Sequence, residues 1–170
     1  MKKHIALIGM MGCGKSTLGA LLAEALNAPF CDLDKEIERF EGRSIPDIFA
    51  ASGDAGFRLC ETAALRRALS APPCVLATGG GIVTREENIA LLRENALVVW
   101  LCRPLEDILQ TVEQDGRPNL AGDKEERMRT LYAAREPLYR RAAHLAFDNR
   151  VSPSQSIQQL LEEPQLRQIL

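Results

Sequence analysis

Apolar residues along this chain fall into short continuous runs, and stretches with helical spacing separate them. The first run covers residues 5–8 and stops at Gly9, which is typical of a parallel strand covered on both faces. Leucine and alanine then repeat at helical spacing, which predicts a helix over residues 15–27. The same patterns predict strands at residues 30–32, 75–78, 97–101 and 145–147, and helices at residues 35–70, 86–95, 105–112, 125–141 and 154–163. Breaks inside the long helical stretch are expected at Gly42, Pro46 and Gly53.

The regular alternation of strands and helices predicts an α/β protein in three layers, with a parallel sheet between two layers of helices. A length of 170 residues without a repeat or a long linker predicts one domain over residues 1–170. The polar stretch at residues 114–122 carries Gly and Pro loop signals and no periodicity. It predicts a mobile lid over about residues 112–123.

Composition and charge narrow the classes of function. The chain carries 21 Lys and Arg against 23 Asp and Glu, so its net charge of -2 gives no field that would attract nucleic acid. No apolar run approaches the roughly 18 residues that cross a bilayer, and the first run ends in glycines without a signal-peptide cleavage site. Five cysteines without a Cys-x-x-Cys pair indicate reduced thiols, with Cys31, Cys74 and Cys102 expected in the core. We expect a cytoplasmic protein with no nucleic-acid or membrane partner.

Residues 9–16, Gly-Met-Met-Gly-Cys-Gly-Lys-Ser, match the P-loop pattern G-x-x-x-x-G-K-[ST] between a predicted strand and a predicted helix. In such a loop, backbone N–H groups surround the phosphates of a nucleotide, and the helix N-terminus adds positive potential. Lys15 is expected to face the ligand and reach its outer phosphates, and the Ser16 hydroxyl to ligate Mg²⁺. The alternative, a Gly-rich turn that merely joins strand to helix, does not require this full pattern.

Several classes of P-loop protein lack support in this sequence. It contains no N-K-x-D segment, which a GTPase uses to read its base, and no LSGGQ-like signature of an ABC-type ATPase. The chain is also too short for a motor or a recombinase. These absences leave a compact kinase that moves phosphate from ATP to a small acceptor.

Two carboxylates stand at the end of the second predicted strand. Because ligands of an open α/β sheet lie beyond the carboxyl ends of its strands, Asp32 and Asp34 are expected to face the site together from an extended segment. One can serve the metal and the other the acceptor, although Asp34 can instead be the N-cap of the next helix. The glycines at residues 79–81 end the third strand at the same edge, either as a close approach to a ligand or as a plain turn.

Arginines supply candidate contacts to anions. Arg58 and Glu61 lie at i, i+3 on one helical face, so Glu61 can hold the guanidinium in place, with an exposed helix salt bridge as the alternative. Arg135 comes just before Pro137, which is expected to kink its helix. Arg117 lies in the predicted lid, where a cation can close over a transferring phosphate.

Together these motifs resemble those of the shikimate kinase family over nearly the whole chain. The resemblance rests on the P-loop, Asp32-x-Asp34, Phe57-Arg58-x-x-Glu61, Thr78-Gly79-Gly80-Gly81, Arg117-Pro118 and Arg135-x-Pro137-Leu138-Tyr139. It implies the nucleoside-monophosphate-kinase type of P-loop fold, with five parallel strands in the order 2-3-1-4-5. It also implies transfer of the γ-phosphate of ATP to the 3-hydroxyl of shikimate, with Mg²⁺ as the cofactor.

The resemblance further implies roles for individual residues. The phosphates of ATP would be held by Gly12, Cys13, Gly14, Lys15, Ser16, Thr17 and Arg117, and the metal by Ser16 and, through water, by Asp32. Shikimate would be bound by Asp34, Phe49, Phe57, Arg58, Gly79, Gly80, Gly81 and Arg135, many of them on helices at about residues 34–62. Lys15, Asp34 and Arg117 would be the catalytic residues, with Asp34 accepting the proton. The protein is expected to act as a monomer.

Two other functions stay open at this point. A kinase for gluconate or a nucleoside monophosphate would share the P-loop, although a nucleotide kinase usually has more lid arginines than the one present here. A non-catalytic ATP-binding regulator would be expected to lack Asp34, Arg58 or Arg135, and the chain has all three. Residues 148–152, on the expected base side, match the family weakly, so contacts there are expected through the backbone.

Overall fold

The computed structural model describes residues 1–114 and 123–170, in which strands and helices alternate. The strands are β1 (His4–Ile8), β2 (Phe30–Asp32), β3 (Val75–Ala77), β4 (Ala96–Cys102) and β5 (Leu145–Asp148). The helices are α1 (Lys15–Ala25), α2 (Leu33–Glu41), α3 (Ile45–Ser70), α4 (Glu86–Asn95), α5 (Leu105–Gln114), α6 (Asp123–Ala142), α7 (Pro153–Glu162) and α8 (Pro164–Ile169). A short 3₁₀ turn at Ile82–Thr84 precedes α4. Within this described part, no helix is both long enough and apolar enough to cross a membrane.

The five strands form one parallel sheet in the order β2-β3-β1-β4-β5, which confirms the predicted fold. β1 lies at the centre, where Ile5 is next to Val75 of β3 on one side and Leu97 of β4 on the other. Because all strands run in the same direction, their carboxyl ends meet at one edge of the sheet. The P-loop after β1, the Asp32 end of β2 and the glycines after β3 are therefore brought together.

Two hydrophobic layers cover the two faces of this sheet. Ala6 and Ile8 of β1 belong to the layer formed with α2, α3 and α4, whereas Ile5 and Leu7 belong to the layer formed with α1, α5 and α7. Successive side chains of a strand point to opposite faces, so both layers draw on the same short run. Every residue of β1 is buried, as expected for a strand covered on both faces.

The long helical stretch differs from its prediction at its start, whereas the expected breaks at Gly42 and Gly53 are confirmed. α2 already begins at Leu33 and ends at Glu41, and its C-cap Gly42 has a φ of 62°, in the left-handed region. α3 follows, with Pro46 in its first turn, where the missing N–H costs little. Gly53 (φ 64°, ψ -171°) interrupts the helical backbone without ending α3. α6 runs on through Pro137, and α8 after Pro164 has no counterpart in the prediction.

The cysteines are buried to different extents, which corrects part of the prediction. Cys74 is buried, but Cys31 and Cys102 are only half-buried, because β2 is an edge strand and Cys102 is the last residue of β4. Partial burial raises the pKa of both thiols to about 11. They are therefore protonated at neutral pH, and all five cysteines are free.

The C-terminal end of α6 is held by an arginine from α4. Nη1 of Arg93 donates to the carbonyl oxygens of Arg141, Ala142 and Ala143, at 3.0, 3.2 and 3.1 Å. These carbonyls belong to the last turn, where a helix lacks internal donors and its dipole favours a positive charge. Arg93 thus fixes α6 against α4 directly before β5 begins.

Arg93→Ala is expected to lower the free energy of unfolding by about 1 kcal/mol, the net value of hydrogen bonds from a charged group at a helix C-terminus. Urea unfolding followed by circular dichroism measures the change. Arg66→Ala is the matched control, because Arg66 is an exposed arginine of α3 that pairs only with Glu87 at the surface. Equal losses in the two variants would contradict a specific role for Arg93.

Candidate active site

The P-loop, residues 9–16, leads into α1 without a side chain that caps the helix. Gly14, with φ 95°, is the N-cap of α1, and no side chain caps the first turn of this helix. The first N–H groups of a helix have no acceptor inside it, so this turn offers donors and positive potential to an anion. Gly9 also needs to be glycine, because a Cβ there would lie 2.9 Å from the carbonyl oxygen of Leu101. This geometry fits the phosphates of a nucleotide.

Lys15 is folded back onto the loop, which differs from the expectation that it faces the ligand. The side chain is buried, with its Nζ donating to the carbonyl oxygens of Gly9 at 2.9 Å and Met10 at 2.8 Å. A buried ammonium needs hydrogen-bond acceptors, and these two loop carbonyls supply them. An ammonium group has three N–H donors, so the third, whose contact here is Sγ of Cys13 at 3.8 Å, is available to a phosphate oxygen.

Ser16 and Asp32 form the predicted metal side of the site. The Ser16 hydroxyl donates to Oδ2 of Asp32 at 2.7 Å, while Oδ1 of Asp32 accepts from the backbone N–H groups of Asp34 and Lys35. Asp32 is therefore the N-cap of α2, so the alternative that Asp34 is the cap is wrong. No group of three or more acidic, His or Cys side chains in the described ranges could hold a metal. Mg²⁺ bound here would take its remaining ligands from phosphate oxygens and water, as it commonly does.

Asp34 lies in the first turn of α2, not on an extended strand end as predicted, yet it still faces the site. Its Oδ1 lies 2.9 Å from the point where a Cβ on Gly79 would be, and Oε1 of Glu61 lies 2.9 Å from the same point. Burial raises the pKa of Asp34, and the neighbouring Asp32 carboxylate adds to this, while Lys15 opposes it. Asp34 is thus a desolvated carboxyl with an elevated proton affinity.

Arg58 is held by a buried carboxylate, so the alternative of an exposed helix salt bridge is wrong. Nη1 of Arg58 lies 2.8 Å from Oε2 of Glu61, whose side chain is 0% exposed, and Asp54 lies 3.3 Å from Nη2. Burial raises the pKa of Glu61, although its hydrogen bond to Arg58 works in the opposite direction. The other oxygen, Oε1, has no hydrogen-bond partner among the described residues.

A cavity of about 350 Å³, which we call the acceptor cavity, lies between α2, α3, α6 and the glycine turn at residues 79–81. Its floor is aromatic, because Phe49 and Phe57 stack with ring centroids 4.4 Å apart. Its lining residues are Met11, Asp34, Ile45, Phe49, Asp54, Phe57, Arg58, Glu61, Gly79, Gly80, Gly81 and Arg135. A Cβ on Gly81 would overlap the guanidinium of Arg58, so the turn and the arginine are in direct contact. The structure therefore brings together every residue that was predicted to bind shikimate.

A second cavity of about 290 Å³, the phosphate cavity, opens over the P-loop. It is lined by Met11, Gly12, Gly14, Lys15, Ser16, Thr17, Asp34, Thr78 and Gly80. Cys13, the remaining residue of the P-loop that was predicted to bind phosphate, has a fully buried side chain, so only its backbone is available to a ligand. Three residues, Met11, Asp34 and Gly80, line both cavities, so the two share a wall.

A third cavity of about 390 Å³, the outer cavity, lies on the other side of the P-loop. It brings in Arg103, which the sequence did not assign to the site, and Asn149, which lies in the segment expected on the base side but was expected to contribute its backbone. Nδ2 of Asn149 donates to the carbonyl oxygen of Cys13 at 2.8 Å, and its Oδ1 accepts from Ser156 at 2.9 Å, so Asn149 joins the P-loop to α7. The place of Arg103 directly after β4, at the carboxyl edge of the sheet, was the available signal for it. Arg117, in contrast, lies outside the described residues, as do residues 115–122 of the predicted lid.

Comparison with known proteins gives one consistent result. The sequence model of the shikimate kinase family matches residues 11–165. The chain is 41% identical to the shikimate kinase of Symbiobacterium thermophilum over 96% of its own length and 97% of that protein's. It is 49% identical to that of Chromohalobacter salexigens over 83% and 79% of the two lengths. The structure superposes on a shikimate kinase from Acinetobacter baumannii, solved in complex with shikimate, with a TM-score of 0.88, 39% identity, and coverage of 99% of this chain and 95% of that one. This chain belongs to the shikimate kinase family.

Proposed function

We propose that this protein transfers the γ-phosphate of ATP to the 3-hydroxyl of shikimate, the reaction of its family in aromatic amino-acid biosynthesis. One observation carries the proposal beyond family membership. Met11, Asp34 and Gly80 line both the phosphate cavity and the acceptor cavity, so a phosphate in one and a hydroxyl in the other would meet at the shared wall. Phosphoryl transfer depends mainly on such positioning and on neutralising charge.

In the acceptor cavity, Arg58 and Arg135 would grip the carboxylate of shikimate. Two guanidinium groups suit a carboxylate because each offers parallel N–H donors in a fixed plane. Asp34 would accept hydrogen bonds from ring hydroxyls, and its raised pKa favours uptake of the proton that the attacking hydroxyl releases. Phe49 and Phe57 would support the ring, and the backbone of residues 79–81 would contact a hydroxyl or the carboxylate.

In the phosphate cavity, Lys15 and the N–H groups of residues 12–17 would bind the phosphates of ATP. When bound, Mg²⁺ neutralises charge on the phosphate oxygens. Ser16 would contact the metal directly. Asp32, which already accepts a hydrogen bond from the Ser16 hydroxyl, would support the metal through a water molecule. The outer cavity, with Arg103 and Asn149, would receive the ribose and base. Arg117 would close onto the phosphates from a lid at about residues 112–123.

The proposal also covers the organisation and setting of the protein. We propose one kinase domain over residues 1–170, in which α2 and the first half of α3, about residues 34–62, form the acceptor-binding part. We further propose that it acts as a monomer in the cytoplasm, without nucleic acid or membrane as partner. The net charge of -2 supports the absence of a nucleic-acid partner, because it gives no overall positive field that would attract a polyanion.

An assay that couples ADP release to a spectroscopic signal, run with shikimate, quinate, gluconate and AMP in turn, tests the function. We expect shikimate to support the fastest Mg²⁺-dependent release, and gluconate and AMP to stay at the rate without acceptor. Faster release with gluconate or AMP would favour another small-molecule kinase. Failure of every acceptor would favour a non-catalytic ATP-binding protein.

Replacing either arginine of the acceptor cavity is expected to weaken shikimate binding selectively. Arg58→Lys and Arg135→Lys each lose a planar pair of donors, and a lost charged contact of this kind costs on the order of 2–5 kcal/mol. The KM for shikimate should then rise at least about 30-fold while the KM for ATP changes little. Arg66→Lys, at an exposed arginine of α3, is the control. Equal effects on both substrates would indicate that the two arginines are structural.

Asp34→Asn is expected to abolish turnover and to stabilise the fold at neutral pH. Burial raises the pKa of Asp34 in the folded state, so the unfolded chain loses its proton first as pH rises, and the wild type loses stability through that window. The variant has no such loss, and its melting temperature should exceed that of the wild type at pH 7–8 by about 2–4 °C.

The difference in melting temperature between Asp34→Asn and the wild type should become smaller as pH is lowered towards the ordinary Asp pKa of about 4. Asp34 of the wild type then becomes protonated in the unfolded as well as in the folded state. Thermal unfolding at several pH values measures it, with Glu94→Gln, at an exposed carboxylate of α4, as the control. A variant less stable than the wild type at pH 8 would contradict this account of Asp34.

A further inference from the structure

Tyr139 is buried and makes a hydrogen bond to the glycine turn that none of the roles above uses. It is the largest fully buried side chain in the described part of the chain, and its ring stacks on Trp100 with a centroid distance of 6.1 Å. Its hydroxyl donates to the carbonyl oxygen of Gly80 at 2.5 Å. The phenol therefore connects α6, which bears it, to the wall shared by the two cavities.

The hydrogen bond constrains more than one atom, because a peptide unit is rigid. The carbonyl of Gly80 and the N–H of Gly81 belong to the same planar trans unit and point in opposite directions. By holding the carbonyl on the side of α6, Tyr139 turns the N–H of Gly81 the other way. Among the described residues no acceptor hydrogen-bonds to that N–H, and Gly81 itself lines the acceptor cavity.

Tyr139 also sets the position of Arg135 relative to the same turn. The two residues are four apart on α6, so they lie on one face of the helix. Nη1 of Arg135 lies 3.7 Å from the point where a Cβ on Gly80 would be. One hydrogen bond thus fixes the spacing between a guanidinium and a backbone N–H that border the same cavity.

The hydroxyl is a permanent donor at physiological pH. Burial raises the pKa of Tyr139 well above its ordinary value, although the charge of Arg135 opposes the shift. If this donor is removed, the partly buried carbonyl of Gly80 loses its hydrogen bond, which is costly for a polar group that is partly shielded from water. The peptide units of the glycine turn would then be free to rotate.

We propose that Tyr139 is a positioning residue for acceptor binding: through the carbonyl of Gly80 it holds the Gly81 N–H towards the acceptor cavity at a fixed distance from Arg135. The role rests on the proposed function, because it concerns the cavity assigned to shikimate. Tyr139 acts through the glycine turn and through α6, and it touches neither substrate. Its effect is therefore expected chiefly on affinity for the acceptor, because Gly81 and Arg135 line the acceptor cavity, whereas the contact of the hydroxyl with Sδ of Met10 in the P-loop is long, at 4.0 Å.

Tyr139→Phe tests this role, because it removes the hydroxyl and keeps the ring. We expect the KM for shikimate to rise about tenfold, as when a buried acceptor loses its donor, with kcat and the KM for ATP changed less than about twofold. Unchanged kinetics, or equal changes for both substrates, would overturn the proposal. If wild-type protein releases no ADP with shikimate, the proposed function fails instead, so the two failures are distinguishable.

Two control variants separate positioning from packing. Tyr132→Phe removes the hydroxyl of the other tyrosine of α6, which is half-buried, and should leave the KM for shikimate unchanged. Trp100→Phe loosens the packing of the Tyr139 ring but keeps its hydroxyl, and should lower the melting temperature without changing that KM. A rise in the KM of Trp100→Phe equal to that of Tyr139→Phe would show that general loosening suffices, and would overturn the proposal.

A measurement on wild-type protein keeps the test independent of how the variants fold. The Gly81 amide should shift in the NMR spectrum and exchange its hydrogen more slowly when shikimate is added, but not when ADP alone is added. A Gly81 amide that shikimate leaves unchanged would overturn the proposal even if Tyr139→Phe could not be purified.

Discussion

The close approach of the glycine turn to the P-loop is the constraint on which the rest of the site depends. The point where a Cβ on Gly80 would be lies 3.1 Å from the backbone nitrogen of Met11 and 3.6 Å from the carbonyl oxygen of Gly9. No side chain fits there, so the ends of β1 and β3 can approach until two cavities share one wall. The shared wall consists of Met11, Asp34 and Gly80. The sheet order places these strand ends next to each other.

Around this wall the fold retains charges that reduce its stability. Glu61 is fully buried with one oxygen lacking a partner in the described structure, and Asp34 is desolvated next to Asp32. A buried ionised group is costly unless it is paired, and the Arg58 contact, with a smaller contribution from the charge of Arg135, offsets the cost of Glu61. Such strain is expected where a site must present open hydrogen-bonding groups to a ligand, because satisfying them internally would remove the function.

Local sequence patterns predicted those parts of the molecule whose determinants are local. The apolar run of β1, the P-loop and the start of α1 follow one another along the chain, so spacing alone located them. A two-residue error in the predicted start of α2 was enough to make Asp34 a candidate for the N-cap in place of Asp32. Aspartate is a good N-cap residue at either position, and spacing cannot tell which carboxylate reaches the free N–H groups. The side-chain contacts of Asn149 and Tyr139 were missed for another reason, although both residues lie in segments that the sequence singled out. Their partners, Cys13 and Gly80, lie 136 and 59 residues away, and such contacts exist only once the sheet has formed.

The two halves of the site consequently depend on the fold in different ways. The phosphate cavity draws mostly on one continuous segment, residues 11–17, and its main donors are backbone groups at the start of a helix packed on the sheet. The acceptor cavity is assembled from α2, α3, α6 and the turn after β3, and α6 contributes both Arg135 and the Tyr139 contact to Gly80. The position of α6 depends in turn on Arg93, which holds the C-terminal end of that helix. Loosening of α6 would therefore act first on the acceptor cavity, because among the described residues the direct polar contact of this helix with the P-loop is the long one from the Tyr139 hydroxyl to Sδ of Met10, at 4.0 Å.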